Sequence, residues 1–246
     1  MVMTKKELIK ISVLSVIGIA AIIFLLIGCT KSVNVSVQPQ SYLPVIVIDP
    51  GHGGEDGGAV APDGTNEKDI NLKIASQLDA ICRYSGIKTV MTRKSDIAIY
   101  DEGNDTLRSK KVSDMKNRLK MFNQDSNSIA VSIHQNKFGK EKYNGSQLFF
   151  SANNSKSEML AECIRLSVTG MMQPDNKREK KAATKDIYLL YNCTQPSVIV
   201  ECGFLSNNAE LEKLKSKEYQ KKIAFSVYCG CLEYINRVNS DYQPLK

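Results

Sequence analysis

The sequence has no Cys-x-x-Cys pair, so a structural zinc knuckle lacks its ligand spacing. It has no internal repeat and no second composition block, so it reads as one domain. It carries no nucleic-acid-binding motif. Histidine is scarce: His52 and His134 are the two in the chain. Seven cysteines are present (Cys29, Cys82, Cys163, Cys193, Cys202, Cys229 and Cys231), irregularly spaced in a chain too long to depend on a disulfide framework. Most lie in apolar runs and are expected as buried thiols.

What is present describes an ordinary globular body, 42% apolar and 24% charged. The net charge of +7 suits an anionic polymer. Lys5, Lys6 and Lys10 precede an uncharged run over residues 11–28, the pattern of an export signal, close to the length that spans a bilayer. The positive-inside rule places the remainder outside, where the anionic polymer is cell wall and not nucleic acid. Residues 1–29 are therefore expected to be a signal or membrane anchor. Leu26-Ile27-Gly28-Cys29 resembles a lipobox, an alternative in which Cys29 becomes a lipidated first residue. Residues 30–43 read as a polar linker, 44–238 as the folded domain and 239–246 as a tail.

Within the domain, residues 44–49, 128–134 and 197–201 are continuous apolar runs, as strands buried on both faces require. Residues 87–92 and 146–151 are further strands. Helices are expected from the Asn66 cap to Gly86, over 108–124, over 158–172 and from about 219 to 238. Residues 100–106 and 174–186 are loops, the second basic with Lys177, Arg178, Lys180, Lys181 and Lys185. Strands alternating with helices predict a single α/β domain, a twisted, mostly parallel sheet flanked by helices on both faces.

In such sheets ligands gather at the carboxyl ends of the strands. His52 follows the first buried strand, His134 ends a later one and Glu201 ends another. Glu67 opens the helix after the first strand and points to the same edge. Two imidazoles and a carboxylate form a catalytic zinc set, and a second carboxylate serves as general base. Both Glu67 and Glu201 are available, and position along the chain does not decide between them. Either histidine alone is more often a structural residue; it is their convergence with two glutamates that points to a hydrolytic metal site.

Four ordered blocks then carry a resemblance. They are Val47-Ile48-Asp49-Pro50-Gly51-His52-Gly53-Gly54, Asn66-Glu67-Lys68-Asp69-Ile70-Asn71-Leu72, Val131-Ser132-Ile133-His134 and Val200-Glu201-Cys202-Gly203-Phe204-Leu205-Ser206-Asn207. Together they resemble the zinc-dependent type 3 N-acetylmuramoyl-L-alanine amidases. The resemblance implies one Zn2+ per chain on His52, Glu67 and His134, with Glu201 as catalytic acid/base. It implies peptidoglycan as substrate and substrate-binding parts for Arg118 and Asn136. Gln135 and Cys202 depart from the commoner residues at those positions. These departures, with no wall-binding repeat in view, resemble the germination-specific branch that acts on spore cortex. That branch strips whole peptides from muramic acid, so that a later enzyme closes a δ-lactam. An accessory or activating envelope protein is expected as partner, with membrane contact through the N-terminal segment and no nucleic acid. The alternatives are a zinc peptidoglycan carboxypeptidase and a non-catalytic wall-binding regulator.

Overall fold

The computed structural model describes residues 43–241. The expected signal or anchor, the lipobox and nearly all of the linker lie outside them. The centre of the domain is a six-stranded sheet of β1 (Val45–Pro50), β2 (Thr89–Met91), β3 (Ser128–Asn136), β4 (Gln147–Phe150), β5 (Lys181–Ala182) and β6 (Ser197–Phe204), in the order β2-β1-β3-β6-β4-β5. The strands β2, β1, β3 and β6 are parallel, β4 runs antiparallel to β6, and β5 is parallel to β4. The mostly parallel sheet expected from the sequence is therefore present, with one reversal.

Alternating side chains divide the central strands between two faces. Ile46, Ile48, Val131, Ile133, Val198 and Val200 join one core with α1 (Glu67–Tyr84), α3 (Lys156–Met171) and α6 (Lys217–Asp241). Val47 and Ala130 pack on the other face with Phe122 of α2 (Leu107–Phe122) and Leu189 of α4 (Tyr188–Asn192). The alternation that buries Val47, Ala130 and Ile199 on this second face also sends Asp49, Ser132, His134 and Glu201 there.

Helix α1 ends as its sequence dictates. Gly86 adopts φ 78, and Ile87 N–H bonds Cys82 O at 2.9 Å while Gly86 N–H bonds Arg83 O at 3.1 Å, closing the last turn. At its start Asn66 holds the cap position, but its side chain makes no capping bond. Thr106 and Ser109 form a reciprocal capping box that starts α2. The expected basic loop over 174–186 contains the edge strand β5. The short helices α4 and α5 (Asn208–Lys215) were not foreseen, and α6 runs to Asp241, past the expected start of the tail. Among the described residues no helix is long and apolar enough to cross a membrane.

Candidate metal centre and active site

The loop after β1 is shaped around one imidazole. His52 has φ 63, a left-handed conformation rare outside glycine, within a run in which Gly53 and Gly54 are also positive. That turn is held from beneath. Arg93 donates from Nε to Pro50 O at 2.9 Å and from Nη2 to Gly51 O at 3.0 Å. Asn71 Nδ2 donates to the same Gly51 oxygen at 3.1 Å. Arg118 donates from Nη1 to Pro50 O at 3.0 Å and from Nη2 to His52 O at 2.8 Å. The backbone strain at His52 is thus fixed by three side chains from other elements.

Three sequence-predicted residues meet. Ligand-capable atoms of His52, Glu67 and His134 all lie within 4.8 Å of one another. His134 Nδ1 is 2.9 Å from Glu67 Oε1, and His52 Nε2 is 3.3 Å from Glu67 Oε2. The two rings meet edge to face with centroids 5.0 Å apart. Glu67 is buried and oriented by backbone donors: Ala59 N–H to Oε2 at 2.8 Å and Gln135 N–H to Oε1 at 3.0 Å. Close approach requires glycine at two points. A Cβ on Gly51 would collide with the His134 ring, and one on Gly58 with Glu67 and His52.

His52 Nδ1 lies 2.9 Å from Asp56 Oδ2, so the ring presents Nε2 to the cluster. Burial disfavours charge on His52, but its bonds to Asp56 and Glu67 outweigh burial and raise its pKa to about 9. Burial likewise pushes Glu67 up, yet the two histidines hold its carboxyl well below the ordinary range.

Glu201 stands in register with His134 on the neighbouring strand. Among the described residues its Oε2 is shielded from solvent and has no hydrogen-bond partner. Burial is the main cause that raises its pKa to about 7; the two histidines pull it down and Glu67 pushes it up. The site therefore holds one carboxylate kept ionised among the imidazoles and one held close to neutrality, a separation suited to distinct roles.

Arg118 and Asn136 are placed differently from the triad. Arg118 is buried, paired with Asp49 and Asp114, and holds the His52 loop as described, so its guanidinium is largely engaged within the protein. Asn136 ends β3, where its carbonyl accepts Leu205 N–H at 2.7 Å, next to a register shift between His134 and Asn136. Asn123, at the end of the preceding helix, accepts from Thr194 N–H at 2.9 Å.

Sequence reasoning missed Asp56, Asn71 and Arg93. Asp56 carried a signal, a carboxylate four residues after a candidate ligand histidine. Arg93 carried none, because its partners are carbonyls of a distant turn.

A metal-capable cluster at the carboxyl edge of a mostly parallel sheet, flanked by a near-neutral carboxylate, defines a metallohydrolase-like α/β protein. The family model described as N-acetylmuramoyl-L-alanine amidase matches residues 46–233, and the chain belongs to that family. It is a hydrolase of this type. The germination-specific N-acetylmuramoyl-L-alanine amidase of Bacillus subtilis is 34% identical over 190 residues, covering 77% of this chain and 79% of that protein. The amidase LytC of the same organism is 30% identical over 217 residues, but they make up only 40% of its length. Among solved structures, the CwlD amidase from Clostridioides difficile, in complex with the GerS lipoprotein, aligns with TM-score 0.76 and 39% identity. That alignment covers 79% of this chain and 99% of CwlD.

Proposed function

We propose that this chain is a zinc-dependent amidase that removes stem peptides from muramic acid in spore cortex, preparing δ-lactam formation. The observation that carries the reading is the gathering of the His52, Glu67 and His134 ligand atoms beside a partnerless Glu201 oxygen. Two nitrogens and one carboxylate oxygen fit the donor set of a catalytic zinc, with coordination positions left for substrate. His52, Glu67 and His134 would hold one ion. When bound, zinc supplies a Lewis acid that polarises the lactyl carbonyl and acidifies water.

The remaining work belongs to the protein's own groups. Glu201 takes the proton of the attacking water and delivers it to the alanine nitrogen as the C–N bond breaks. Its raised pKa suits both transfers near neutral pH. Asp56 fixes the His52 ring, and Arg118 positions the loop that carries it. Asn136, two residues beyond His134, orients substrate.

Two further points belong to this reading. Export is supported by the lysines and uncharged run over residues 5–28. An accessory envelope protein is supported by the Clostridioides difficile relative, which was solved with a lipoprotein.

The test pairs zinc content with mass spectrometry of products from peptidoglycan. The expected result is about one zinc per chain and zinc-dependent release of peptides beginning at L-alanine. Glu201→Gln is expected to keep zinc and lose turnover by about 10²-fold or more. His52→Ala and His134→Ala are expected to lose both. Release of terminal D-alanine in place of intact peptides would identify a carboxypeptidase, and near-normal turnover by Glu201→Gln would remove it from the mechanism.

A further inference from the structure

The two positions that depart from the commoner residues, Gln135 and Cys202, face each other across the strands that carry His134 and Glu201. His134 pairs with Glu201 and Asn136 with Phe204, so β3 advances two residues where β6 advances three, and Cys202 and Gly203 together oppose Gln135. Bulges beside active sites re-aim side chains. Gln135 and Cys202 are buried, and so is Asn71 on α1. Gln135 Nε2 donates to Asn71 Oδ1 at 3.1 Å. Asn71 Nδ2 in turn donates to Gly51 O at 3.1 Å and to Glu67 Oε1 at 3.4 Å. Gln135 Oε1 is buried and has no partner among the described residues. Burial pushes the Cys202 thiol well up, Glu201 adds to this and the Gln135 amide opposes it, so the thiol stays protonated.

The direction of this chain of bonds is set at its inner end. Gly51 O and the Glu67 carboxylate can only accept, so Asn71 must turn its NH2 to them. A carboxamide turned the other way has nearly the same shape but sets its oxygen against two acceptors. Shape does not choose between the two orientations. Hydrogen bonding does, and Gln135 meets the Asn71 oxygen that the right orientation leaves in need of a donor. The unmet acceptor is thereby moved away from Asn71, behind the ligand carboxylate, to Gln135 Oε1 at the bulge. A buried acceptor left unmet is costly, so its place in the fold matters. We propose that Gln135 is a positioning residue of the metal centre: by holding the Asn71 amide it fixes both the Glu67 carboxylate and the Gly51 turn that carries His52. The Gln135 N–H, which donates to Glu67 Oε1 at 3.0 Å, acts on the same oxygen. The effect on metal affinity rests on the zinc reading; the hold on Glu67 can be read without metal.

Gln135→Met keeps the volume and removes the donor. It exchanges the unmet acceptor at Gln135 for one at Asn71, so the urea midpoint of the metal-free, full-length chain should stay near that of the wild type. Zinc affinity, read by competition with a chromophoric chelator, should fall about 10- to 100-fold, the range for loss of a group that orients a ligand. Without metal, the Ala59 amide, which donates to Glu67 Oε2, should exchange its hydrogen about 10-fold faster, the equivalent of one hydrogen bond. Cys202→Ala is the control. It opens space beside the same bulge and leaves Asn71 alone, so it should lower the urea midpoint with zinc affinity and Ala59 exchange unchanged. Asn71→Ala should weaken zinc at least as much as Gln135→Met, and adding Gln135→Met to it should cost no more than about 2-fold further. Unchanged zinc affinity and Ala59 exchange in Gln135→Met would overturn the assignment. Losses that track the urea midpoint in both Gln135→Met and Cys202→Ala would do so too, as would full additivity of Gln135→Met with Asn71→Ala. A wild-type chain that takes up no zinc would remove the amidase reading, and Ala59 exchange in Gln135→Met would then decide the positioning role alone: faster exchange supports it, unchanged exchange overturns it.

Discussion

At Glu201 the backbone places a carboxyl where water reaches it poorly, and the consequence is measurable without any catalytic assay. Burial raises its pKa from 4.5 to about 7, so the folded protein binds this proton more tightly than the unfolded chain. The sign follows directly. Between about pH 4.5 and pH 7 the folded state holds a proton that the unfolded state has released, so stability falls as pH rises through that window. In metal-free protein Glu201→Gln should match the wild type near pH 4 and exceed it by about 3 kcal/mol well above pH 7. Urea unfolding of both proteins at the two pH values checks this, and equal stability at high pH would place Glu201 in water. The identity of this residue was legible in the sequence, as a glutamate ending a buried run. Its shielding was not, since that depends on which side chains of β3 and of the first helix close over it.

At the scale of elements, the buried charge network between β1 and α2 does what hydrophobic contact cannot. Asp49 accepts from Thr92 Oγ1 and Ser132 Oγ, each at 2.6 Å, and pairs with Arg118. Burial raises the Asp49 pKa, but Arg118 and the two hydroxyls more than offset this and hold it ionised. Arg118 then passes the connection to the carbonyls of Pro50 and His52. Removing one partner leaves a buried charge uncompensated. Arg118→Met is therefore expected to cost about 3–5 kcal/mol of stability, and to weaken zinc retention even in the fraction that remains folded. Chemical denaturation and a chelator competition would read the two effects separately. If zinc affinity were unchanged in folded Arg118→Met, the link from α2 to the His52 loop would carry no functional load. The long elements were readable because continuous apolar strands and capped amphipathic helices announce themselves. The reversal at β4, the two-residue β5 and the five-residue α4 were not. They are too short to show a period: pairing with β6 and β4 decides the two strands, and packing of Leu189 with Val47, Ala130 and Phe122 decides the helix. The same limit explains Arg118: an isolated arginine on a polar helix reads as a surface residue until its partners on β1 are in place.

At the scale of the molecule, the proposed zinc would link fold, proton and metal in one equilibrium. The bonds of His52 to Asp56 and Glu67 outweigh its burial and raise its pKa to about 9, so the metal-free ring carries a proton at neutral pH. Nε2 must lose that proton before it can serve as a ligand. Apparent zinc affinity should therefore fall about tenfold per unit as pH drops below about 9, for the single proton displaced from this ring. A fixed zinc excess of 100-fold over Kd stabilises by about 2.7 kcal/mol, and each unit of lower pH should remove about 1.4 kcal/mol of that until the excess is exhausted. Glu201 also titrates near neutrality, so the clean measurement uses the Glu201→Gln background. Titration calorimetry at pH 7, in buffers of different ionisation enthalpy, should then show about one proton released per zinc from His52. Asp56→Asn removes the first carboxylate that holds the proton on His52, and should reduce both the proton release and the pH slope of affinity. Proton release that persists unchanged in Asp56→Asn would mean that the Asp56 pairing does not govern how this protein takes up its metal.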